Sequence, residues 1–238
     1  ADHGPGELAT TIWWNEVGRR VPHLTWSEEK AHQLRERFSV DSIAMPSPFA
    51  SWWNIGQPPC PQGPVTVFPM HSTAYANARN PSPRDYVEVI RSRHGHRKIR
   101  VCLHHLDFAS PTWSAWLDQE VELVTAGNPL SPNFMNRLRI IIETSSIVSC
   151  PERSSPISWA LLLGVPCELL GKADYEWHKS TSPYKTRPLF EMNRDFQKRV
   201  EEDLRSGRYL NAQEGRKLVP LLFGTDIPFD LNSVRRKL

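Results

Sequence analysis

The sequence lacks the patterns that mark several common enzyme classes. It has 238 residues and only 12 glycines, none of them arranged as GxGxxG or GxxxxGK[ST]. Those patterns bind dinucleotides and nucleoside triphosphates, so their absence argues against a dinucleotide-dependent dehydrogenase and a P-loop NTPase. A GxSxG nucleophile elbow is also absent, which argues against an α/β-hydrolase of the Ser–His–Asp type.

Cysteine is scarce and shows no metal-binding spacing. The four cysteines are Cys60, Cys102, Cys150 and Cys167, without a CxxC pair. Three of them lie in or beside apolar, strand-like runs. This placement predicts buried, reduced thiols in a cytoplasmic protein, in preference to disulfides or a metal site.

Long apolar runs and blocks of like charge are missing as well. No run approaches the roughly 18–20 apolar residues of a membrane-spanning helix, and the first residues show no signal-peptide pattern. We therefore expect a cytoplasmic protein and leave peripheral membrane association open. The net charge is only +3 and the basic residues are dispersed, so we expect no nucleic-acid partner.

Apolar strands alternate with helical patterns through the middle of the chain. The predicted strands are Val65–Phe68, Ile99–His104, Val121–Thr125, Ile147–Cys150 and Pro166–Leu170. Helices are predicted to begin at Ser82–Pro83, near Thr112, at Ser131–Pro132 and at Ser155–Pro156. The alternation predicts an α/β fold in which helices cover a Rossmann-like parallel sheet over residues 63–171.

Two flanking regions are predicted on either side of this sheet. Residues 1–62 form a small, irregular N-terminal region with one helix at Trp26–Phe38, capped by Thr25 and Glu28, and a strand at Ser42–Met45. Residues 172–238 form a C-terminal extension of helices, predicted at 189–205, 212–222 and 231–237.

Polar residues follow the carboxyl ends of four predicted strands, where open parallel sheets bind ligands. In strand order they are His71, Ser72 and Thr73; His104, His105 and Asp107; Thr125, Gly127 and Asn128; and Arg153, Ser154 and Ser155. Hydroxyl groups and imidazoles at one edge suit a phosphorylated ligand.

The fourth of these loops has the features of a phosphate site. Ser155 stands where a helix N-cap belongs and Pro156 where the first helical residue belongs. A helix start carries partial positive charge and free N–H groups, so Arg153, Ser154 and Ser155 form a candidate phosphate site. An ordinary, well-capped strand–helix unit explains the same residues.

The histidines of the chain do not predict a metal site. His104 and His105 would point to opposite faces of an extended strand, so we predict that they do not share an ion. We expect no metal and no cofactor. His94 and His96 flank Gly95 in a basic turn and are predicted to lie in solvent.

The segments VTVFPMHST, IRVCLHHLD, ELVTAGN and IVSCPERSSPISWALLLGVPCELL resemble a known family when taken in this order. They resemble the C-terminal, nucleotide-sugar-binding half of GT-B glycosyltransferases, with most likeness to bacterial capsule, lipooligosaccharide and sialyltransferase-type enzymes. The resemblance implies that His71 and the Ser154–Ser155 pair hold the donor's phosphate, without a metal. The donor implied is a cytidine-monophosphate sugar. The usual His-Pro pair is here Pro69-Met70-His71.

The leading hypothesis is therefore a transferase that moves a sugar from a nucleotide-activated donor to a glycan acceptor in polysaccharide biosynthesis. His71, Ser154 and Ser155, aided by Arg153, would stabilise the departing phosphate. The catalytic base is left open among Asp107, His3 and Asp2. A non-catalytic nucleotide- or sugar-binding module, or a subunit of a larger assembly, is the alternative. A phosphate-ester hydrolase that uses the histidines is a third hypothesis.

Overall fold

The computed structural model describes residues 11–12, 17, 22–52, 60–72, 76–109, 111–178, 190–191 and 194–228. Its strands are β1 (Thr11–Ile12), β2 (His23–Thr25), β3 (Ser42–Ala44), β4 (Val65–Val67), β5 (Ala76–Arg79), β6 (Ile99–Cys102), β7 (Glu122–Val124), β8 (Ile147–Cys150), β9 (Cys167–Leu169), β10 (Asp174–Trp177) and β11 (Phe190–Glu191). Its α-helices are α1 (Glu28–Phe38), α2 (Pro48–Trp52), α3 (Pro83–His94), α4 (Pro111–Leu117), α5 (Phe134–Glu143), α6 (Ser155–Leu163), α7 (Arg194–Ser206), α8 (Ala212–Arg216) and α9 (Val219–Phe223).

The centre of the fold is a five-stranded parallel sheet in the order β7-β6-β4-β8-β9. All four pairings are parallel, as in Val65↔Ile99 and Val65↔Ile147. This confirms the predicted Rossmann-like sheet covered by helices. Counted along the chain, the strand order is 3-2-1-4-5, the order of the doubly wound nucleotide-binding fold. The order reverses between β4 and β8.

The sheet is buried on both faces because helices pack against each side. Every residue of β8 is buried, and Ile157 through Leu163 of α6 are buried as well. A strand covered on both faces needs a continuous apolar sequence, which is why periodicity located these strands correctly. The stripe predicted on α5 is also confirmed, since Leu138, Ile141 and Ile142 lie in the core and Phe134 packs against it.

The thiols agree with the prediction made from their positions. Cys102, Cys150 and Cys167 are free and buried, and Cys60 is free and exposed. Burial raises the pKa of Cys102 and of Cys150 to about 12, because the low-dielectric core disfavours a thiolate.

A charged cluster lies between α3 and β9, and we call Arg93, His94 and Glu168 the interior charge cluster. The Glu168 side chain is fully buried, its carboxylate accepts a hydrogen bond from His94 Nε2, and Arg93 Nε lies 3.1 Å from it. The His94 side chain is only 7% exposed, so the prediction that His94 lies in solvent is wrong. The pairing joins residues 74 positions apart, which local sequence cannot reveal. His96 is exposed, as predicted.

The described part of the N-terminal region contains a parallel β–α–β unit. β2 and β3 pair in parallel around α1, with His23 opposite Ser42. The predicted capping box is wrong, because the N-cap is Ser27, whose hydroxyl accepts a hydrogen bond from Lys30 N at 3.2 Å. Rings pack this unit against the sheet domain: Trp26 and Phe49 with Trp159 and Phe223.

The C-terminal helices differ in their bounds from the prediction. The first begins at Arg194, and Phe190–Glu191 forms β11, which pairs with β1. The helix predicted over 212–222 is two helices, α8 and α9. Pro220 lies in the first turn of α9, and its missing N–H interrupts the hydrogen bonds that would continue α8. The helix predicted over 231–237 lies outside the described residues. Among the described helices none is long and apolar enough to cross a membrane.

A two-stranded ribbon that was not predicted stands beside the sheet. β5 and β10 pair antiparallel, with Asp174 opposite Arg79 and Tyr175 opposite Ala78. β5 lies in the connection that follows β4, and β10 comes soon after β9. Both connections leave the sheet at the carboxyl ends of their strands, so the ribbon lies on the edge where the sequence predicts a ligand.

Candidate functional site

The strand order places the crevice that is most favourable for ligand binding between β4 and β8. Connections from these neighbouring strands leave toward opposite sides of the sheet, because one strand leads to β6 and the other to β9. In open α/β sheets such a reversal creates a crevice outside the carboxyl ends of the two strands. The loops that border it are residues 68–72 after β4 and 151–154 after β8.

The loop after β4 is fixed by hydrogen bonds to the ribbon and to Asn80, which directly follows β5. The Asn80 side chain accepts a hydrogen bond from Met70 N at 2.8 Å and donates one to Met70 O at 2.7 Å. Ser72 Oγ accepts from Ala78 N at 3.0 Å, and the Tyr175 hydroxyl donates to His71 O at 3.4 Å. These bonds hold His71 in a defined position beside the crevice.

Three imidazoles meet at this edge, and we call His71, His104, His105 and the neighbouring Asp107 the edge imidazole cluster. The rings of His71 and His104 are stacked, with centroids 4.2 Å apart and planes 13° from parallel. The rings of His104 and His105 are 4.3 Å apart. The prediction that His104 and His105 point to opposite faces is therefore wrong. β6 ends at Cys102, so strand alternation no longer governs these two residues.

Burial and the neighbouring rings set the charge of His104. The pKa of His104 is lowered from 6.5 to about 4, first by burial and then by the neighbouring His71 and His105. His104 is therefore neutral near pH 7. Burial raises the pKa of Asp107, although His71 and His105 oppose that shift. Asp107 also begins a short 3₁₀ turn, and its N–H donates to His104 O at 2.9 Å.

The hydrogen bonds of His71 indicate its tautomer. Its Nδ1 lies 3.0 Å from the carbonyl oxygen of Ser72. A carbonyl only accepts, so Nδ1 carries a proton and donates it. In the neutral ring Nε2 then has the free lone pair and is the atom able to take up a further proton.

The loop after β8 differs from the prediction in its capping. The N-cap of α6 is Ser154, and Ser155 is the first helical residue. Ser154 makes no side-chain capping bond; its hydroxyl donates to Cys150 Sγ at 3.4 Å. The prediction of Ser155 as N-cap is one residue too late. The Ser154 hydroxyl thus lies at a helix start without satisfying the helix's own N–H groups.

The same loop is braced by α7. Arg153 Nη2 donates to Gln197 Oε1 at 2.9 Å. Glu152 accepts from Arg205 Nη2 at 2.8 Å and from Ala173 N at 3.3 Å. The residues between Cys150 and Ser155 are therefore held in place from outside the sheet, as a rigid binding loop requires.

The loop after β7 lies on the outermost strand of this side of the sheet. Thr125 Oγ1 accepts from Gly127 N at 2.9 Å, and Asn128 Oδ1 accepts from Leu130 N at 2.9 Å. Gly127 has a φ of +85°, and Arg137 donates to Ala126 O at 2.8 Å. These bonds shape the turn itself, and β6 separates it from the crevice, so contact of Thr125, Gly127 and Asn128 with a ligand stays a prediction.

The structure places most predicted site residues at one sheet edge. His71 and Ser72, Asp107, Gly127, and Ser154 with Ser155 follow four parallel strands of the same sheet. Thr73, Asp2 and His3 lie outside the described residues. Within the described residues no three His, Cys, Asp or Glu side chains are grouped to hold a metal ion.

Sequence reasoning missed the residues that position the site. Asn80 and Tyr175 hold the His71 loop, and Gln197 and Arg205 hold the loop after β8. The Tyr175 contact spans 104 positions and has no local signal. The proximity of His71 and His104 could have been inferred from the sequence, because their loops follow the adjacent strands β4 and β6.

Comparisons with known proteins found similar folds and no sequence relative. No protein family and no curated protein matches the chain. Among solved structures it is similar to TarM, with 12% identity and a TM-score of 0.39 over 90% of this chain and 42% of that chain. A variant of Os79 from O. sativa in complex with UDP shows 9% identity and a TM-score of 0.37 over 82% of this chain and 49% of that chain.

A third solved structure is UGT2 of Phytolacca americana, complexed with UDP-2fluoro-glucose and pterostilbene. It shows 11% identity and a TM-score of 0.31 over 80% of this chain and 45% of that chain. The chain thus spans less than half the length of each of the three solved chains. Its fold class is established by its own strand order.

Proposed function

We propose that the chain is the donor-binding part of a glycosyltransferase that uses a nucleotide-activated sugar. The observation that carries this proposal is the position of two loops at one topological switch point. His71 follows β4, Ser154 and Ser155 follow β8, and these are the two strands between which the sheet order reverses. Imidazole, hydroxyl and backbone donors at such a crevice match the oxygens of a phosphate.

The proposed reaction is direct displacement at the anomeric carbon. The bond from that carbon to the donor's phosphate breaks while the acceptor hydroxyl oxygen forms a new one. Negative charge develops on the departing phosphate, where His71, Ser154, Ser155 and Arg153 would stabilise it. Asp107 is the candidate among the described residues for taking the acceptor's proton, because burial raises its pKa, as a general base requires.

The finer parts of the proposal come from the family resemblance of the segments. They are a cytidine-monophosphate-linked donor, a glycan acceptor, a role in polysaccharide assembly, and a cytoplasmic location with or without peripheral membrane association. No bound cofactor and no metal is proposed. The division at residues 62 and 171 is part of the same proposal.

A thermal-shift panel of CMP, CDP, UDP, GDP and their sugars tests binding. A ligand that binds only the native state at a hundred times its Kd adds about 2.7 kcal/mol of stability. For a chain of this size that raises the midpoint by roughly 5–11 °C. One nucleotide should stand out. A midpoint unmoved by every nucleotide would contradict the proposal.

The products distinguish the three hypotheses once a donor is found. Release of free nucleotide that depends on a glycan acceptor identifies a transferase. Binding without turnover, in protein that retains its melting midpoint, identifies a non-catalytic module. Release of inorganic phosphate from a phosphate ester identifies a hydrolase. These outcomes are read from one chromatographic separation of the reaction mixture.

A further inference from the structure

The stack of His71 on His104 has a consequence for the proton balance of the site. Two imidazolium rings with centroids 4.2 Å apart would repel each other, so the protons of the pair are coupled. The neutral member is His104, whose pKa is lowered to about 4. Its face then lies against His71 and favours a cation there, as an aromatic face does.

The hydrogen bonds decide which atom gains the proton. His71 Nδ1 is already committed to the Ser72 carbonyl at 3.0 Å. Only Nε2 remains to be protonated, and as N⁺–H it becomes a donor toward a ligand oxygen. An anion placed beside an imidazole favours the charged ring, and imidazole changes charge between about pH 5 and 8.

We propose that phosphate binding at this edge is coupled to the uptake of one proton by His71 Nε2, with His104 as the neutral positioning ring. The inference rests on the proposed function and adds a proton to its binding step. The proton comes from bulk solvent and no bond other than N–H is made. When the phosphate product leaves, the same proton is released.

Other titratable groups around His71 agree with this assignment. His104, His105 and Asp107 come from the loop after β6, and Asp107 is the one carboxyl group among them, with a pKa that burial raises. From the ribbon, the Tyr175 hydroxyl contacts the His71 carbonyl. Arg79 and Glu176 of the ribbon pair with each other at 3.0 Å, which leaves their charges largely balanced.

Calorimetric titration with CMP and UDP in two buffers tests the proposal at pH 7.5. Buffers of different ionisation enthalpy report the number of protons taken up, and we expect about 0.5–1 proton for each nucleotide bound. At this pH the terminal phosphate, with a second pKa near 6, is already fully charged. The ligand itself therefore contributes little to the proton count.

Four variants make the assignment specific. His71→Asn should abolish proton uptake and make the affinity independent of pH between about 6.5 and 8. His104→Phe keeps a ring face against His71 and should retain uptake, whereas His104→Ala should reduce it. His96→Gln removes an exposed histidine that precedes β6, at the end of this strand opposite the edge imidazole cluster, and serves as the matched control, with uptake unchanged. Melting midpoints of all four confirm that each variant is folded.

The outcomes separate the two proposals. Uptake that is present in the wild type and in His96→Gln but absent in His71→Asn supports the inference. Binding of CMP or UDP with a heat that is the same in both buffers overturns it and leaves the proposed function standing. Binding of neither nucleotide overturns both.

Discussion

Two clusters of histidine and carboxylate in this molecule have the same chemistry and opposite settings. The interior charge cluster places Glu168 fully out of solvent against Arg93 and His94. The edge imidazole cluster leaves His71 and His104 half-buried, with their rings in contact mainly with one another. In the first cluster each carboxylate oxygen lies beside a basic group of the protein, Oε1 beside His94 and Oε2 3.1 Å from Arg93. In the second cluster His71 Nε2 can accept a proton, and among the described residues it makes no hydrogen bond to a ring nitrogen or a carboxylate.

The comparison teaches that ion pairs and hydroxyl pairs buried inside the fold have a structural role here. Thr66 and Ser145, 2.6 Å apart, and Tyr86 and Ser149, 3.2 Å apart, are likewise paired inside the sheet. At the carboxyl edge, in contrast, Ser154 caps nothing with its side chain. His105 Nδ1 is buried there without a hydrogen bond, as are Thr25 Oγ1, Ser47 Oγ and Glu168 Oε2 elsewhere in the described part of the chain. The interior should respond to mutation in stability and the edge in binding.

Removing the interior carboxylate should have the largest effect on stability. Glu168→Ala leaves Arg93 and His94 without their buried partner and should cost about 3 kcal/mol. For a chain of this size the midpoint falls by roughly 6–12 °C, measured by calorimetry. Glu122→Ala is the matched control, because Glu122 pairs with Arg100 at 3.0 Å on a half-exposed surface and should cost less than about 1 kcal/mol. Equal losses of stability in the two variants would contradict the distinction between the buried and the half-exposed ion pair.

The second-largest effect on stability is expected at the turn that contains Gly127. A Cβ at Gly127 would lie 2.9 Å from Arg137 Nη2, and φ is +85°. Gly127→Ala should therefore lower the free energy of unfolding by about 1–2 kcal/mol, measured in urea. The same substitution in an Arg137→Ala background isolates the backbone strain from the crowding. If Gly127→Ala is neutral, the turn is not held as described.

Two helix starts sharpen the contrast between structural and free hydroxyl groups. Ser82 caps α3 by accepting from Asp85 N at 3.1 Å, so Ser82→Ala should cost about 1 kcal/mol. Ser154 makes no such bond, and Ser154→Ala should cost less than about 0.5 kcal/mol. Urea unfolding of both variants measures the difference. A larger loss at Ser154 than at Ser82 would make Ser154 a structural cap.

The smallest expected effect is a change in how steeply the free energy of unfolding varies with pH. The folded-state pKa of His104 is about 4 against an ordinary 6.5, so between these values the unfolded chain binds more protons and stability falls as pH falls. His104→Asn should flatten this part of the curve. Asp107, whose raised pKa acts in the opposite sense, is present in both proteins. If the free energy of unfolding falls equally steeply with falling pH in the variant and in the wild type, the low pKa of His104 is contradicted.

The sequence was sufficient for the sheet because its strands are buried on both faces. Runs such as Ile147–Cys150 are apolar except for one serine, and their alternation with capped helices such as Ser82–Pro83 predicted the parallel sheet. Ala76–Arg79 has no such signal, since its sequence ANAR is mostly exposed and pairs only with distant residues 174–177. The ribbon could therefore not be predicted.

The site was predictable as a set of loops but not as a geometry. That His71 and the Ser154–Ser155 pair lie near one edge follows from parallel strands alone. The stacking of His71 on His104 depends on where β6 ends, and a difference of two residues at Cys102 reversed the expected directions of the rings. The contact of His94 with Glu168 depends on long-range packing and was missed for the same reason as the ribbon.

The most direct test of the account is the affinity of the Ser154→Ala/Ser155→Ala double variant for CMP, with UDP titrated in parallel. A hydrogen bond to a charged phosphate contributes about 1.5–3 kcal/mol, so losing two should raise Kd at least about a hundredfold. The melting midpoint should stay within about 2 °C of the wild type. An unchanged Kd with a lowered midpoint would make the two serines structural and contradict the assignment of this edge as a phosphate site.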